Sequence, residues 1–232
     1  MATPTKGLVA GDRAPAFSLP DGAGVTHSAA SLAGAPYVLY FYPKDDTAVC
    51  TTEACEFRDA LPDFSKLGVR VLGVSPDDAR SHERFARKHA LNFTLLSDVP
   101  DEAGVPRVCE AFGVWVEKSM YGKSYMGVER STFLVDAKGV IARVWNKVRV
   151  QGHVPEVLGA VRALTTTGHL PVGEGAAVNG VAPRAGKAGS ANTTSSKAGA
   201  KAKSAKATSA TGKAGAKKPA AKKVPARRSA AR

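Results

Sequence analysis

Large apolar side chains stop at residue 170 of a 232-residue chain. All 15 aromatics (8 Phe, 5 Tyr, 2 Trp) lie before that point, and no Leu, Ile, Met or aromatic follows Leu170. Beyond it the larger aliphatics are Val172, Val178, Val181 and Val224. So little apolar surface cannot offset the entropy of ordering the chain. The sequence therefore predicts three parts: a flexible leader over residues 1–10, one folded domain over residues 11–170, and a disordered Lys/Ala-rich tail over residues 171–232. The middle part is long enough to bury a core without disulfide or metal staples.

Charge divides at the same place. The net charge is +13. Residues 1–172 hold 19 basic and 19 acidic residues, whereas residues 173–232 hold 14 basic residues against Glu174 alone. The folded domain is neutral and the basicity belongs to an appendage. No run of about 18 apolar residues is present, so no membrane-spanning helix and no membrane partner is expected. The stretch Met1–Phe17 lacks an apolar centre and contains Asp12, Pro4 and Pro15, unlike a secretory signal. Three cysteines do not make a disulfide scaffold. The expected address is cytoplasmic.

Within the domain, hydrophobic patterning alternates strand and helix. Gly11–Leu19 reads as extended, Asp21-Gly22 as a turn, and Val25–Leu32 as a second short strand or loop. Tyr37–Tyr42 is continuously apolar and aromatic, the pattern of a strand covered on both faces. Pro43 ends it. A helix follows from about Val49 to Leu67, with Pro62 expected to kink or divide it. Val69–Val74 is a second buried strand. Asp77 or Asp78 caps a helix that reaches His89, with acids in its first turn. Phe93–Leu96 is a third strand, and Gly104–Phe112 a short helix. Thr132–Asp136 and Val140–Trp145 form an antiparallel hairpin, and a last helix starts at Pro155 and runs to Leu164. The fold class is α/β with a mixed sheet.

The chemistry concentrates where the first buried strand meets its helix. Cys50 lies in or near the first helical turn, where unpaired N–H groups and the positive dipole end favour a thiolate. Thr47 is placed to cap that turn or to point its hydroxyl into the same pocket. Cys55 follows five residues later. In an intact helix that spacing puts the two Cα atoms about 8–9 Å apart, whereas a disulfide needs about 4.4–6.8 Å. A Cys50–Cys55 bond therefore requires the helix start to unwind. Zinc-type paired ligand spacing is absent, and the five histidines (27, 82, 89, 153, 169) form no metal pattern and read mostly as surface residues. Cys109 reads as a small apolar filler. Trp115 and Tyr125 read as packing residues, with paving of the same pocket as the alternative.

Pro43-x-x-x-Thr47-x-x-Cys50 resembles the active-site signature of the peroxiredoxins. Cys50-Thr51-Thr52-Glu53-Ala54-Cys55, followed by Phe57-Arg58-Asp59, is similar to the bacterioferritin comigratory protein (Q-type) class. So are the opening Gly11-Asp12-x-Ala14-Pro15-x-Phe17-x-Leu19-x-Asp21 and the stretch Tyr121–Asp136 preceded by Gly113-Val114-Trp115. The resemblance spans about residues 7–166. It implies a thioredoxin-like fold, with a mixed central sheet flanked by helices, and a thiol-dependent peroxidase acting on hydrogen peroxide and organic hydroperoxides. Cys50 would be the peroxidatic nucleophile, passing through a sulfenic acid, and Cys55 the resolving thiol, closing an intramolecular disulfide. Thioredoxin or a similar dithiol protein would reduce it. Thr47 would hydrogen-bond the thiolate or peroxide, Pro43 would shield the pocket, and Arg130 would supply a fixed positive charge. Glu53 and Arg58 match the motif with capping or salt-bridge roles as open as catalytic ones. Neither cofactor nor metal is implied, since sulfur carries the chemistry. The class implies a monomer.

The tail repeats Lys, Ala, Gly, Ser, Thr and Pro and resembles linker-histone and nucleoid-protein tails in composition. Its expected partner is nucleic acid, bound non-specifically through residues 184–232 by phosphate neutralisation. Without interleaved aromatics it has no means of stacking on bases. A nucleoid-associated location follows from that expectation. The alternative function is a DNA-binding protein that uses the folded domain as scaffold or redox sensor.

Overall fold

The computed structural model describes residues 7–120 and 122–167. The chain divides into two units, Met1–Val181 and Ala182–Arg232, and all described residues belong to the first. The expectations for residues 1–6, for the tail and for His169 lie outside the described residues.

The organising element is β3 (Tyr37–Phe41), every residue of which is buried. Its side chains alternate between two cores, as a strand covered on both faces requires. Val38 and Tyr40, with the following Tyr42, join one cluster, and Tyr37, Leu39 and Phe41 join the other. In the central sheet, ordered β5-β4-β3-β8-β9, β3 pairs in parallel with β4 (Arg70–Ser75), which pairs in parallel with β5 (Thr94–Ser97). On its other side β3 pairs antiparallel with β8 (Ser131–Val135), and β8 with β9 (Ile141–Trp145). The mixed sheet and its antiparallel edge agree with the sequence reading.

Helices cover both faces. Phe57 and Phe64 of α2 (Ala48–Lys66), Phe85 of α3 (Ala79–His89) and Val157 and Val161 of α5 (His153–Thr167) pack on the Tyr40 side. Leu32 of α1 (Ala29–Leu32) and Val108 and Cys109 of α4 (Arg107–Ala111) pack on the other. Gly73 is required by close approach, because a Cβ there would lie 2.7 Å from the Tyr40 ring and 2.8 Å from Leu95. Two small antiparallel pairs complete the fold: β1 (Ser18–Pro20) with β2 (Thr26–Ser28), and β6 (Trp115–Met120) with β7 (Lys123–Val128).

Several expectations are corrected. Helix α2 runs unbroken through Pro62, so the proline does not divide it. Helix α5 starts at His153, two residues before Pro155, and α3 has no acid in its first turn. The β6–β7 pair was not anticipated, because its mixed polar and apolar residues, most of them exposed in β7, lack strand-like alternation. Tyr125 is 45% exposed rather than packed. His82 and His153 are buried, and His27 and His89 half-buried, against the surface reading; hydrogen bonds to Asp45 and Thr132 make the two burials tolerable. Among the described residues, no helix is long and apolar enough to cross a membrane, and no group of His, Cys, Asp and Glu is arranged to hold a metal.

Candidate active site

The parallel strand β3 delivers the chain to the sheet's C-terminal edge, where open α/β sheets place their sites. Residues 42–47 then lead into α2. Thr47 is the N-cap of α2 in extended conformation, so Cys50 is the third helical residue. The N–H groups of the first three helical residues lack intrahelical acceptors. The first α-helical bond is donated by Thr51 N–H to Thr47 O at 2.8 Å. The Thr47 hydroxyl does not cap this turn, contrary to one of the two expectations for it; it donates to Lys44 O at 3.3 Å. Free backbone donors thus cluster beside Cys50, ready for an anion.

Cys50 is 3% exposed, and Arg130 comes to it from the residue before β8, 80 positions away in sequence. Arg130 Nη2 donates to Cys50 Sγ at 3.1 Å, while Nη1 pairs with Glu53. Antiparallel pairing of β8 with β3 explains the meeting: Ser131 is opposite Phe41, so the residue ahead of β8 lies beside the chain leaving β3. The guanidinium offers an anionic sulfur a charge-assisted donor on a planar, always-charged fork. Glu53 is fully buried. Burial pushes its carboxyl up to about 7, although the Arg130 charge and hydrogen bond pull downward. The position of Glu53 three residues after Cys50 puts both on one helix face, and that spacing was the available signal for its part in the site.

Cys55 is half-buried in the same unbroken helix. All three cysteines are free thiols. Arg58 is paired with Asp59, and its Nη1 donates to His89 O at 2.7 Å, which makes it a tie between α2 and α3. Pro43 and Thr47 are exposed where the chain enters α2. Cys109 is fully buried, and its thiol is pushed well up by burial and by Asp98, as a structural cysteine's is. The structure therefore brings Cys50, Arg130 and Glu53 together and leaves Cys109 in the opposite core.

Two further features escaped the sequence reading. Lys118 on β6 is half-buried and donates to Val128 O at 2.6 Å. Burial lowers its pKa, while Glu129 and the Cys50 sulfur oppose that shift. Asp45 and His82 form a buried pair at 2.9 Å immediately ahead of Thr47. Neither could be inferred from spacing, since their partners are far away in sequence.

Residues 10–144 match the AhpC/TSA family model. The chain is 46% identical over 151 residues to peroxiredoxin Bcp of Escherichia coli, covering 65% of this chain and 94% of that one. It is 45% identical over 155 residues to peroxiredoxin Bcp of Bacillus subtilis, covering 67% and 96%. Among solved structures it resembles the bacterioferritin comigratory protein of Xanthomonas campestris, described in trapped intermediate and ligand complexes for alkyl peroxide reduction. That match has 44% identity and a TM-score of 0.60, over 64% of this chain and 92% of that one. A cysteine-to-serine variant of Xylella fastidiosa PrxQ gives a TM-score of 0.62 at 36% identity, over 68% and 98%. The meeting of Cys50 and Arg130 at the start of α2, the thioredoxin-like sheet and these relatives agree, and the chain belongs to the AhpC/TSA family as a thiol-dependent peroxidase.

Proposed function

We propose that Cys50 is the peroxidatic nucleophile and Cys55 the resolving thiol. The Cys50 thiolate attacks the terminal oxygen of a hydroperoxide and the O–O bond breaks. Cys50 becomes a sulfenic acid, and the alcohol or water leaves after taking a proton. The Cys55 sulfur then attacks the sulfenic sulfur, expelling water and forming the disulfide. A dithiol protein of the thioredoxin type returns both thiols by exchange. The observation that carries this reading is the 3.1 Å contact of Arg130 Nη2 with Cys50 Sγ at a helix start with free N–H groups. Arg130 and those groups stabilise charge on sulfur and on the breaking peroxide. Thr47 and Pro43 border the entry to the sulfur, with the Thr47 hydroxyl free to exchange Lys44 O for peroxide. Both thiols belong to one helix of one chain, so turnover needs no second copy. Mass spectrometry after one equivalent of hydrogen peroxide tests the assignment: a Cys50–Cys55 disulfide with free Cys109 is expected. Peroxide consumption that survives Cys50→Ser refutes it.

A second reading concerns the basic residues, and the +13 confined to positions 173–232 favours it. The tail holds the enzyme on nucleic acid through residues 184–232 by counterion release, so that peroxide is removed beside it. Truncation after Leu170 is expected to abolish salt-sensitive DNA binding and to leave peroxidase turnover unchanged. DNA retention equal with and without the tail at low salt removes the anchor. DNA binding by the full chain without peroxidase turnover favours the scaffold alternative.

A further inference from the structure

Tyr42 N–H donates to Val74 O of β4 at 3.1 Å, and each side-chain hydrogen bond that leaves the segment between β3 and α2 runs to helix α3 or the turn before it. Asp45, 6% exposed, accepts from the Tyr42 hydroxyl at 2.8 Å and from His82 Nδ1 at 2.9 Å. Its own N–H donates to Asp77 Oδ2 at 2.8 Å, and Asp77 Oδ2 also accepts from the Ser75 hydroxyl at 2.8 Å. Asp46, in the left-handed region at φ 57°, accepts from Lys88 Nζ at 2.5 Å and from His89 Nε2 at 2.8 Å. His82, Phe85 and His89 occupy positions i, i+3 and i+7, one face of α3. That face grips Asp45, the Tyr42 ring and Asp46. At the far side of the two cysteines, Arg58 of α2 is held by His89 O.

The residues that must unwind for Cys55 to reach Cys50 thus lie between two anchors on a single helix. Burying a carboxylate and an imidazole is costly unless each is paired. The peroxidase step explains why the cost is carried here, three residues from the start of α2. We propose that the Tyr42–Asp45–His82 cluster is a positioning device that fixes the 43–47 loop to α3, holding Cys50 against Arg130 for attack on peroxide and confining the disulfide rearrangement to the stretch between Asp46 and Arg58. This rests on the Cys50–Cys55 reading above. His82, Asp45 and Tyr42 act through the loop and do not touch substrate. Releasing the loop slows the first step, because Cys50 leaves its donors. It speeds the second, because the helix start unwinds from a free end.

The test measures the two steps separately, by rapid quenching with a thiol alkylator and mass counting of thiol, sulfenic acid and disulfide after hydrogen peroxide. In His82→Leu, which keeps volume and loses the donor, sulfenic acid formation is expected to slow about tenfold, equivalent to about 1.4 kcal/mol, while disulfide closure accelerates. His82→Asn, whose amide nitrogen stands in for Nδ1, restores the wild-type ratio. If His82→Leu does not fold, exposed Asp46→Asn moves the ratio in the same direction to a smaller extent. An unchanged ratio in the folded variants overturns the inference, as does equal slowing of both steps. Those outcomes leave Cys50 oxidation in the wild-type protein intact. Its absence there defeats the underlying reading instead.

Discussion

Replacing Arg130 by Met separates two things that the guanidinium does. It removes the donor to Cys50 Sγ and the partner of the buried Glu53. Glu53 has a carboxyl already raised to about 7 with Arg130 present, so without it the value rises further. Below pH 7 the carboxyl is protonated in both proteins. The cost of the substitution is then a lost hydrogen bond and imperfect packing, about 1 kcal/mol. Above pH 7 the wild-type Glu53 releases its proton and pairs with Arg130, whereas the variant keeps it. The native variant binds more protons than the native wild type, so the stability gap grows by about 1.4 kcal/mol per pH unit. At about pH 8.5 the total reaches about 3 kcal/mol, the range for a broken buried ion pair. Urea denaturation at about pH 6 and pH 8.5, in a Cys50→Ser background that removes the thiol beside Arg130, reads this directly. In the otherwise native protein, stopped-flow peroxide reduction is expected to fall about 10²–10³-fold, the worth of one charge-directed donor. A stability gap equal at both pH values, or wild-type turnover in Arg130→Met, refutes the reasoning.

Other consequences are simpler. His153 is held at about 4 by burial, below the usual 6.5. A lowered value means stability is present above pH 6.5 and is lost as pH falls toward 4. The loss is about 3 kcal/mol, and His153→Gln should flatten that part of a denaturation-versus-pH curve. Gly73→Ala forces a methyl against the Tyr40 ring and Leu95 at under 3 Å and should cost about 1–3 kcal/mol in urea denaturation. Asp98 is 3% exposed and accepts from Val108 N–H at 3.2 Å and Cys109 N–H at 2.7 Å, taking the place of a cap that Pro106 has no side chain to provide. Asp98→Ala should lower stability by about 2–3 kcal/mol, with faster hydrogen exchange at those two amides.

Taken alone, the sequence determined whatever depends on neighbours along the chain. Continuous apolar runs specified β3 and β4, three- and four-residue spacing specified α2, and the absence of large apolar residues after Leu170 limited where a core could end. The helix start placed Cys50 among free N–H groups, and the five-residue step to Cys55 required unwinding before a disulfide, because both follow from helix geometry. The β6–β7 pair was illegible, since its polar and apolar residues do not alternate and most of them are exposed. The undivided α2 shows tertiary packing of Phe57 and Phe64 outweighing the helix-breaking tendency of Pro62. Arg130 was legible as a motif position, but its contact with Cys50 and its pairing with Glu53 were decided when β8 docked antiparallel to β3. Asp45 and His82 had no signal at all. An acid next to another acid and a histidine on a polar helix read as surface, until packing α3 against the end of β3 removed water from both and left each the other as its partner.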